Sequence, residues 1–208
     1  MRTGTLSTAS IATVTTTLLS VIAAIVVIAY GVAIAPPPVR SADKLDLRRY
    51  AGTWYELARV PNKLETNCSA DVTATYRVLG DGSMSLVTRC VDNAERVNVA
   101  VAQAQSLPGA PAQMRLSYLP SWLDWWPLSH DEHWVVMVDN DYRYAVVSDP
   151  SRESLSILSR TPMIEPRTYD SIVSRLREQR YPVERLVPTE HRSPEQALPE
   201  AVKPPLMV

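Results

Sequence analysis

The sequence predicts an all-β domain: an eight-stranded antiparallel up-and-down β-barrel with one C-terminal α-helix packed outside and a hydrophobic helix ahead of it. Three observations predict this architecture, namely strand-length runs of alternating polarity, tight turns between them and one amphipathic helix after the last strand. Alternation with a period of two gives each strand one buried face. Eight short strands with short links fit an up-and-down barrel better than a sandwich.

The N-terminal part of the chain carries a long uncharged run. No charged residue lies between Thr3 and Ala35 of the 208-residue chain. This run is long enough for a transmembrane helix and longer than the usual apolar core of a secretory signal. We expect a short flank at 1–10, and at 11–35 either a transmembrane anchor or a cleaved signal. Three consecutive prolines make 36–44 a stiff spacer.

The middle of the chain is predicted to be a meander of strands. The first strand begins near Trp54, and the others are expected at 69–79, 83–91, 95–106, 112–119, 132–139, 142–149 and 154–160. Turn residues such as glycine, aspartate and proline occupy the links, as at 80–82 and 108–111. The strands are therefore joined in sequence order.

The inward face decides whether such a barrel holds a ligand. Following the alternation, we expect the inside to be lined by Glu56, Ala58, Val72, Ala74, Tyr76, Met84, Leu86, Thr88, Ala102, Met114, Leu116 and Tyr118. Together they form an apolar slot with a few polar tips. An eight-stranded barrel either encloses one small ligand or is filled by its own side chains. The sequence leaves both open.

The link between the fifth and sixth strands, 119–128, is rich in tryptophan and leucine. In an up-and-down barrel this link lies at the open mouth, so that Trp122, Trp125 and Trp126 would surround the entrance. Exposed apolar groups are costly in water, and tryptophan favours the lipid–water interface. This loop therefore either dips into a membrane or folds over the mouth as a lid.

The helix is predicted from about 166 to 180. Tyr169, Ile172, Val173 and Leu176 form one apolar stripe that should lie against the outside of the barrel. Proline favours the first helical turn at 166 and prevents continuation at 182. The polar, proline-rich stretch 189–208 is predicted to be a disordered tail.

Cys68 and Cys90 are the only cysteines, and they flank two adjacent predicted strands. A simple hairpin centred on Asp81 pairs Cys68 with Ala94, four positions past Cys90. A bulge, or a bend before the strand, is therefore needed for a disulfide. Free buried thiols are the alternative.

Composition excludes several classes of function. A formal net charge of −1 provides no basic surface for nucleic acid, and two cysteines exclude a zinc ribbon. His130 and His133 are predicted to lie with Asp131 and Glu132 in a loop before Trp134, where no third metal ligand is identifiable. No nucleophile lies near a base, and there is no glycine-rich phosphate loop. We predict no catalytic residue, no metal and no cofactor.

Four motifs in order identify a family. They are Gly52-Thr53-Trp54-Tyr55-Glu56, the run 72–76, the run 141–147 and the run 157–162, which ends the last strand. With this spacing, 45–188 resembles the lipocalins, in particular the bacterial branch related to apolipoprotein D and the temperature-induced lipocalins. The chain departs from that branch in lacking a lipid-acceptor cysteine, in the run 130–133 and in its longer tail.

The resemblance implies that the residues of the motifs are structural and that the ligand binds elsewhere in the barrel. Gly52, Trp54, Tyr142 and Arg160 would be structural, with the guanidinium covering the indole at the closed end of the barrel. The implied function is non-enzymatic transport or storage of a fatty acid or lysophospholipid in the cell envelope, outside the cytoplasm, with a role in membrane maintenance under stress. A lipocalin-type enzyme acting on a lipophilic substrate is the alternative. The oligomeric state stays open.

Overall fold

The computed structural model describes residues 36–61, 68–118 and 130–192, with only the backbone of His130. The chain divides into two compact units, 1–37 and 38–208, and the fold below is that of the second. The hydrophobic segment at 11–35, the three loop tryptophans and residues 193–208 lie outside the described ranges. Within these ranges, no helix combines the length and apolar character needed to cross a membrane.

Eight antiparallel strands close into a barrel. They are β1 Gly52–Val60, β2 Ala70–Val78, β3 Met84–Val91, β4 Val97–Leu107, β5 Ala110–Ser117, β6 His130–Val138, β7 Tyr144–Ser148 and β8 Leu155–Ser159. Each strand pairs with the next, and β1 pairs with both β2 and β8, which closes the sheet. The predicted eight-stranded up-and-down barrel is confirmed.

Two short helical elements and one long helix accompany the barrel. They are α1 Leu47–Tyr50, α2 Pro166–Glu178 and a 3₁₀ helix at Val183–Arg185. Ile172 and Leu176 of α2 are buried in an apolar cluster with Val60 and Ile157 of the barrel wall. The apolar stripe therefore covers the outside of the barrel, as predicted.

A β-bulge in β1 changes which residues face the interior in the second half of this strand. Glu56 lies opposite Leu158 of β8, but the register then shifts and Ala58 lies opposite Ile157. Paired residues share a face of the sheet, so Ala58 faces outward with Ile157, which packs against α2. The prediction that Ala58 faces the interior is wrong because simple alternation does not register the extra residue.

The two cysteines form a disulfide, with a Cα–Cα distance of 5.5 Å between Cys68 and Cys90. The pairing of β2 with β3 shifts register between Ala70 and Thr73. Asp71, within this shift, has a φ of 53°. The expected irregularity is therefore present and brings the cysteines together.

The segment after the 3₁₀ helix fills a seam between β1 and β2. β9, Val187–Pro188, pairs with β1, and Glu190 bridges Ala70. Arg192 then pairs with Asp71 through an N–O contact of 2.6 Å. The folded domain thus extends four residues beyond the predicted boundary at 188, because 189–192 are held by these contacts.

The closed end of the barrel is built around Trp54. Its indole Nε1 donates to the Tyr50 carbonyl at 2.8 Å, and the Arg160 guanidinium lies 3.7 Å from the indole centroid. The same guanidinium donates to the backbone carbonyls of Arg49, Tyr50, Ala51, Thr53 and Tyr142. Several of these are the last carbonyls of α1, which helical bonding leaves unsatisfied. The expected stacking of Arg160 on Trp54 is confirmed.

Gly52 and Tyr142 complete this end. Gly52 has a φ of 104°, and a Cβ there would lie 3.1 Å from Arg160 Nη1, so both the backbone and the space require glycine. The Tyr142 hydroxyl accepts a bond from the Asp46 backbone N–H at 2.8 Å, while Arg49 stacks on its ring. These contacts place both residues in the frame of the barrel.

Candidate ligand-binding site

The barrel interior is apolar and closely packed near its closed end. Trp54, Met84 and Met114 are fully buried there. Of the predicted lining, the residues that join this interior cluster are Ala74, Tyr76, Met84, Leu86, Ala102, Met114 and Leu116. Apolar side chains from almost every strand therefore meet on the barrel axis.

The remaining predicted lining residues lie nearer the open end. Val72 and Glu56 are buried, and Thr88 is half-buried and pairs with Ala74 on one side and Ala100 on the other. Tyr118, just past the end of β5, is 49% exposed, so it contributes at most one face to the entrance. The interior is thus tightly filled at one end and looser at the other.

A hydrogen bond between Tyr76 and His133 crosses the barrel. The Tyr76 hydroxyl lies 2.8 Å from His133 Nε2. Tyr76 is on β2 and His133 on β6, four strands apart in either direction around the sheet. The two walls are therefore diametrically opposite, and we call this pair the crossbar.

The crossbar rests on a third aromatic residue. The ring of Tyr50 lies 4.9 Å from that of Tyr76 and 5.1 Å from that of Trp54. The Tyr50 hydroxyl is buried and interacts with that of Tyr76. Burial raises the pKa of both tyrosines well above the ordinary value, so both are neutral.

His133 is the interior residue that sequence reasoning missed. It lies within β6 and not in a loop, and it pairs with Met114, whose side chain is buried in the interior. Burial lowers the pKa of His133 to about 4, so the imidazole is neutral at neutral pH. A signal was present, because His133 and Val135 share one face in the alternation of the predicted sixth strand.

A second polar group in the interior surrounds Glu56. Its carboxylate accepts bonds from Arg59 Nη1 at 2.7 Å, Ser156 Oγ at 3.0 Å and Thr189 Oγ1 at 2.8 Å. The bulge in β1 brings Arg59 opposite Ser156, on the face that simple alternation assigns to Ala58. The buried carboxylate therefore has three side-chain hydrogen-bond donors, one of them a guanidinium.

The cysteines and the acidic and histidine side chains of the described ranges bear on what the interior can bind. Both thiols are used in the disulfide. In the described ranges, no three His, Cys, Asp or Glu side chains are grouped to hold a metal ion. The described interior is thus an apolar cluster that also contains two hydrogen-bonded polar groups, the crossbar and the Glu56 group.

Comparisons with known proteins agree with this geometry. Residues 45–191 match the family model of the lipocalin-like domain. The chain is 31% identical to temperature-induced lipocalin-1 of Arabidopsis thaliana over 157 residues, covering 74% of this chain and 82% of that protein. It is 32% identical to the outer membrane lipoprotein Blc of Escherichia coli K12, covering 68% and 77% respectively.

Solved structures show the same fold at lower identity. Insecticyanin from the tobacco hornworm Manduca sexta superposes with a TM-score of 0.59 at 17% identity, covering 76% of this chain and 93% of that one. The matched family model spans the barrel, the helix α2 and the seam segment. The chain therefore belongs to the lipocalin family, whose members bind small hydrophobic ligands.

Proposed function

We propose that this protein binds a single-chain lipid, a fatty acid or a lysophospholipid, within the barrel and carries or stores it in the cell envelope. The observation that supports this most is the interior itself, in which apolar side chains from all eight strands surround the axis. Each methylene buried there gains about 0.8 kcal/mol before the cost of immobilisation.

Two observations support an extracytoplasmic location. The disulfide between Cys68 and Cys90 is typical of oxidising compartments. Relatives from three bacterial genera are outer membrane lipoproteins by name. Anchoring by the segment 11–35, or release after its cleavage, is part of the same proposal.

The binding site is tested by filling the open half of the barrel. Ala100 alternates with the inward residues Ala102 and Ala104, and it is exposed rather than packed. Its neighbour Val101 faces outward and is 54% exposed. Ala100→Trp should reduce the affinity for a fluorescent fatty acid at least tenfold, whereas Val101→Trp should leave it unchanged. Equal affinities for the two variants would contradict an interior site.

Native mass spectrometry of the purified full-length protein addresses the ligand and the alternative function. A co-purifying fatty acid or lysophospholipid supports carriage. Turnover of an added lipid would favour the lipocalin-type enzyme instead. Lipocalins are generally non-enzymatic, and using both cysteines in the disulfide agrees with that.

The proposal includes contact with a membrane through Trp122, Trp125 and Trp126 of the loop 119–128. Replacing the three tryptophans with serine should weaken binding of the protein to liposomes if the loop dips into the bilayer. Unchanged liposome binding, with altered ligand release, would favour the lid instead. Ligand affinity measured without liposomes separates the two outcomes.

A further inference from the structure

The crossbar divides the barrel interior into two halves. On the side of the closed end, the side chains of Tyr50, Trp54 and Met84 are fully buried. On the other side, His133 and Thr88 are half-buried, and Ala100 is exposed. Among the described residues, the Tyr76–His133 pair is thus the deepest group that a molecule entering from the mouth meets.

The open half is deep enough for a lipid chain. Tyr76 and Ala70 are six residues apart on β2. At about 3.3 Å per residue and a tilt of about 40°, this spacing corresponds to roughly 15 Å along the barrel axis. A chain of medium length therefore spans the distance from the crossbar to the mouth.

The chemistry at the floor differs from that of the walls. Apolar residues such as Leu86, Leu116 and Val147 surround the crossbar. A polar group in such surroundings is costly unless it is hydrogen-bonded, and a ligand oxygen beside the imidazole or the tyrosine hydroxyl would gain from low local polarity. A purely apolar chain end would instead cover these polar atoms without bonding to them.

We propose that the crossbar receives the polar end of the ligand, so that a long-chain carboxylic acid enters carboxyl end first and its tail points to the mouth. This inference rests on the proposed function, because it assumes that a single-chain lipid occupies the barrel. It selects the carboxylic acid over the lysophospholipid within that proposal.

Charge balance gives the reason for the selection. The charged groups on the inward side of the open half are Glu56, Arg59 and Asp131, and Arg59 is already paired with Glu56 at 2.7 Å. Asp131 lies two residues from His133 on the same strand, and Tyr76 and Met114 face His133 from β2 and β5. None of these described groups offers an unpaired cation, so a phosphate group at the floor would not be neutralised.

A carboxylate can be neutralised by a proton. Burial lowers the pKa of His133 to about 4 and so keeps the imidazole neutral near neutral pH. A carboxylate that moves from water to the floor must therefore either take up a proton itself or lie beside an imidazole that has taken one up. In both cases one proton moves from solvent to the complex for each acid bound near neutral pH. A fatty alcohol of equal length takes up none.

Calorimetry measures that proton directly. Full-length protein, kept in solution by an amphipathic polymer, is titrated at pH 7.5 with a saturated fatty acid, the alcohol of equal chain length and lysophosphatidylcholine. Comparing the binding heats in phosphate and Tris, which differ in ionisation enthalpy, gives the number of protons taken up. We expect about one proton for the acid and none for the alcohol, with lysophosphatidylcholine binding most weakly.

Variants locate the effect at the crossbar. His133→Leu should lower the affinity for the acid at least tenfold and change the affinity for the alcohol less, because a charge-assisted hydrogen bond is lost only with the acid. Gln105→Leu, which replaces a polar side chain with leucine at an exposed, outward-facing position of β4, is the matched control and should change neither.

The outcomes are distinguishable. If none of the three lipids binds, the proposed function fails. If the acid binds without proton uptake, or with an affinity independent of His133, the carboxyl end lies elsewhere and this inference alone is refuted. The acid–alcohol comparison on the unmodified protein needs no variant, so the test holds even if His133→Leu does not fold.

Discussion

The contact between Arg160 and Trp54 should be worth several kcal/mol of folding free energy. The three guanidinium nitrogens donate to five backbone carbonyls at 2.8–3.3 Å, and the cation lies over the indole at 3.7 Å. Three donor groups at about 1 kcal/mol each give about 3 kcal/mol, and the cation–π contact of this partly exposed guanidinium adds less than any one of them. Because Nη2 donates to three of the carbonyls, the energies of those three bonds are not counted separately.

Arg160→Ala should therefore lower the free energy of unfolding by about 3 kcal/mol, and the melting temperature by roughly 10 °C for a domain of this size. Arg160→Lys should recover less than half, because one ammonium cannot reproduce the planar fork of donors. Urea denaturation followed by far-ultraviolet circular dichroism measures both values. Tryptophan fluorescence should also shift to the red as the Trp54 indole is uncovered.

Arg167 supplies the control. It is an exposed arginine of α2, and Arg167→Ala should change stability by less than about 0.5 kcal/mol. The reasoning is refuted if the loss for Arg160→Ala is below about 1 kcal/mol. In that case, water would replace the guanidinium at the five carbonyls at little cost, and the closed end would be held by the indole packing alone.

Three further predictions concern the same domain. Gly52→Ala should destabilise the fold by about 1–3 kcal/mol more than Gly109→Ala, since both have positive φ but only at Gly52 does the new Cβ meet a guanidinium; comparative thermal melts check this. Replacing Cys68 and Cys90 with serine should cost about 3 kcal/mol, because the disulfide spans a sequence separation of 22 residues; similar unfolding midpoints with and without reductant would contradict it. His133 binds protons more weakly in the folded chain, with a pKa of about 4 against 6.5 when unfolded, so its contribution to stability is complete above pH 6.5 and is lost as the pH falls toward 4. Urea midpoints measured across this range should fall less for His133→Gln than for the unmodified protein, by an amount that corresponds to at most about 3 kcal/mol.

Much of the barrel could be predicted because its signals are local. Alternation within β2, β3 and β5 marks the buried faces, and the stripe around Ile172 marks the helix. These patterns reflect the geometry of single elements, with two residues per strand repeat and 3.6 per helical turn. The disulfide could also be predicted, on the condition that the strand pairing contained an irregularity, and the structure contains one.

The errors arose where one element depends on another. The bulge in β1 places Ala58 on the outer face of the barrel and Arg59 beside Glu56, which no alternation within the strand could reveal. The contacts of 189–192 with β1 and β2 join residues more than a hundred positions apart, so a polar sequence there resembles a tail.

The sequence by itself determined the family, the strand order, the helix and the residues of the closed end. These features depend on short motifs and on periodicities that hold whatever surrounds them. Only the tertiary structure decided that Tyr76 reaches His133 across the barrel and that Glu56 is paired within its wall. The reason is physical: those side chains meet only when the sheet closes, and the curvature and stagger of the closed sheet are set by all eight strands together.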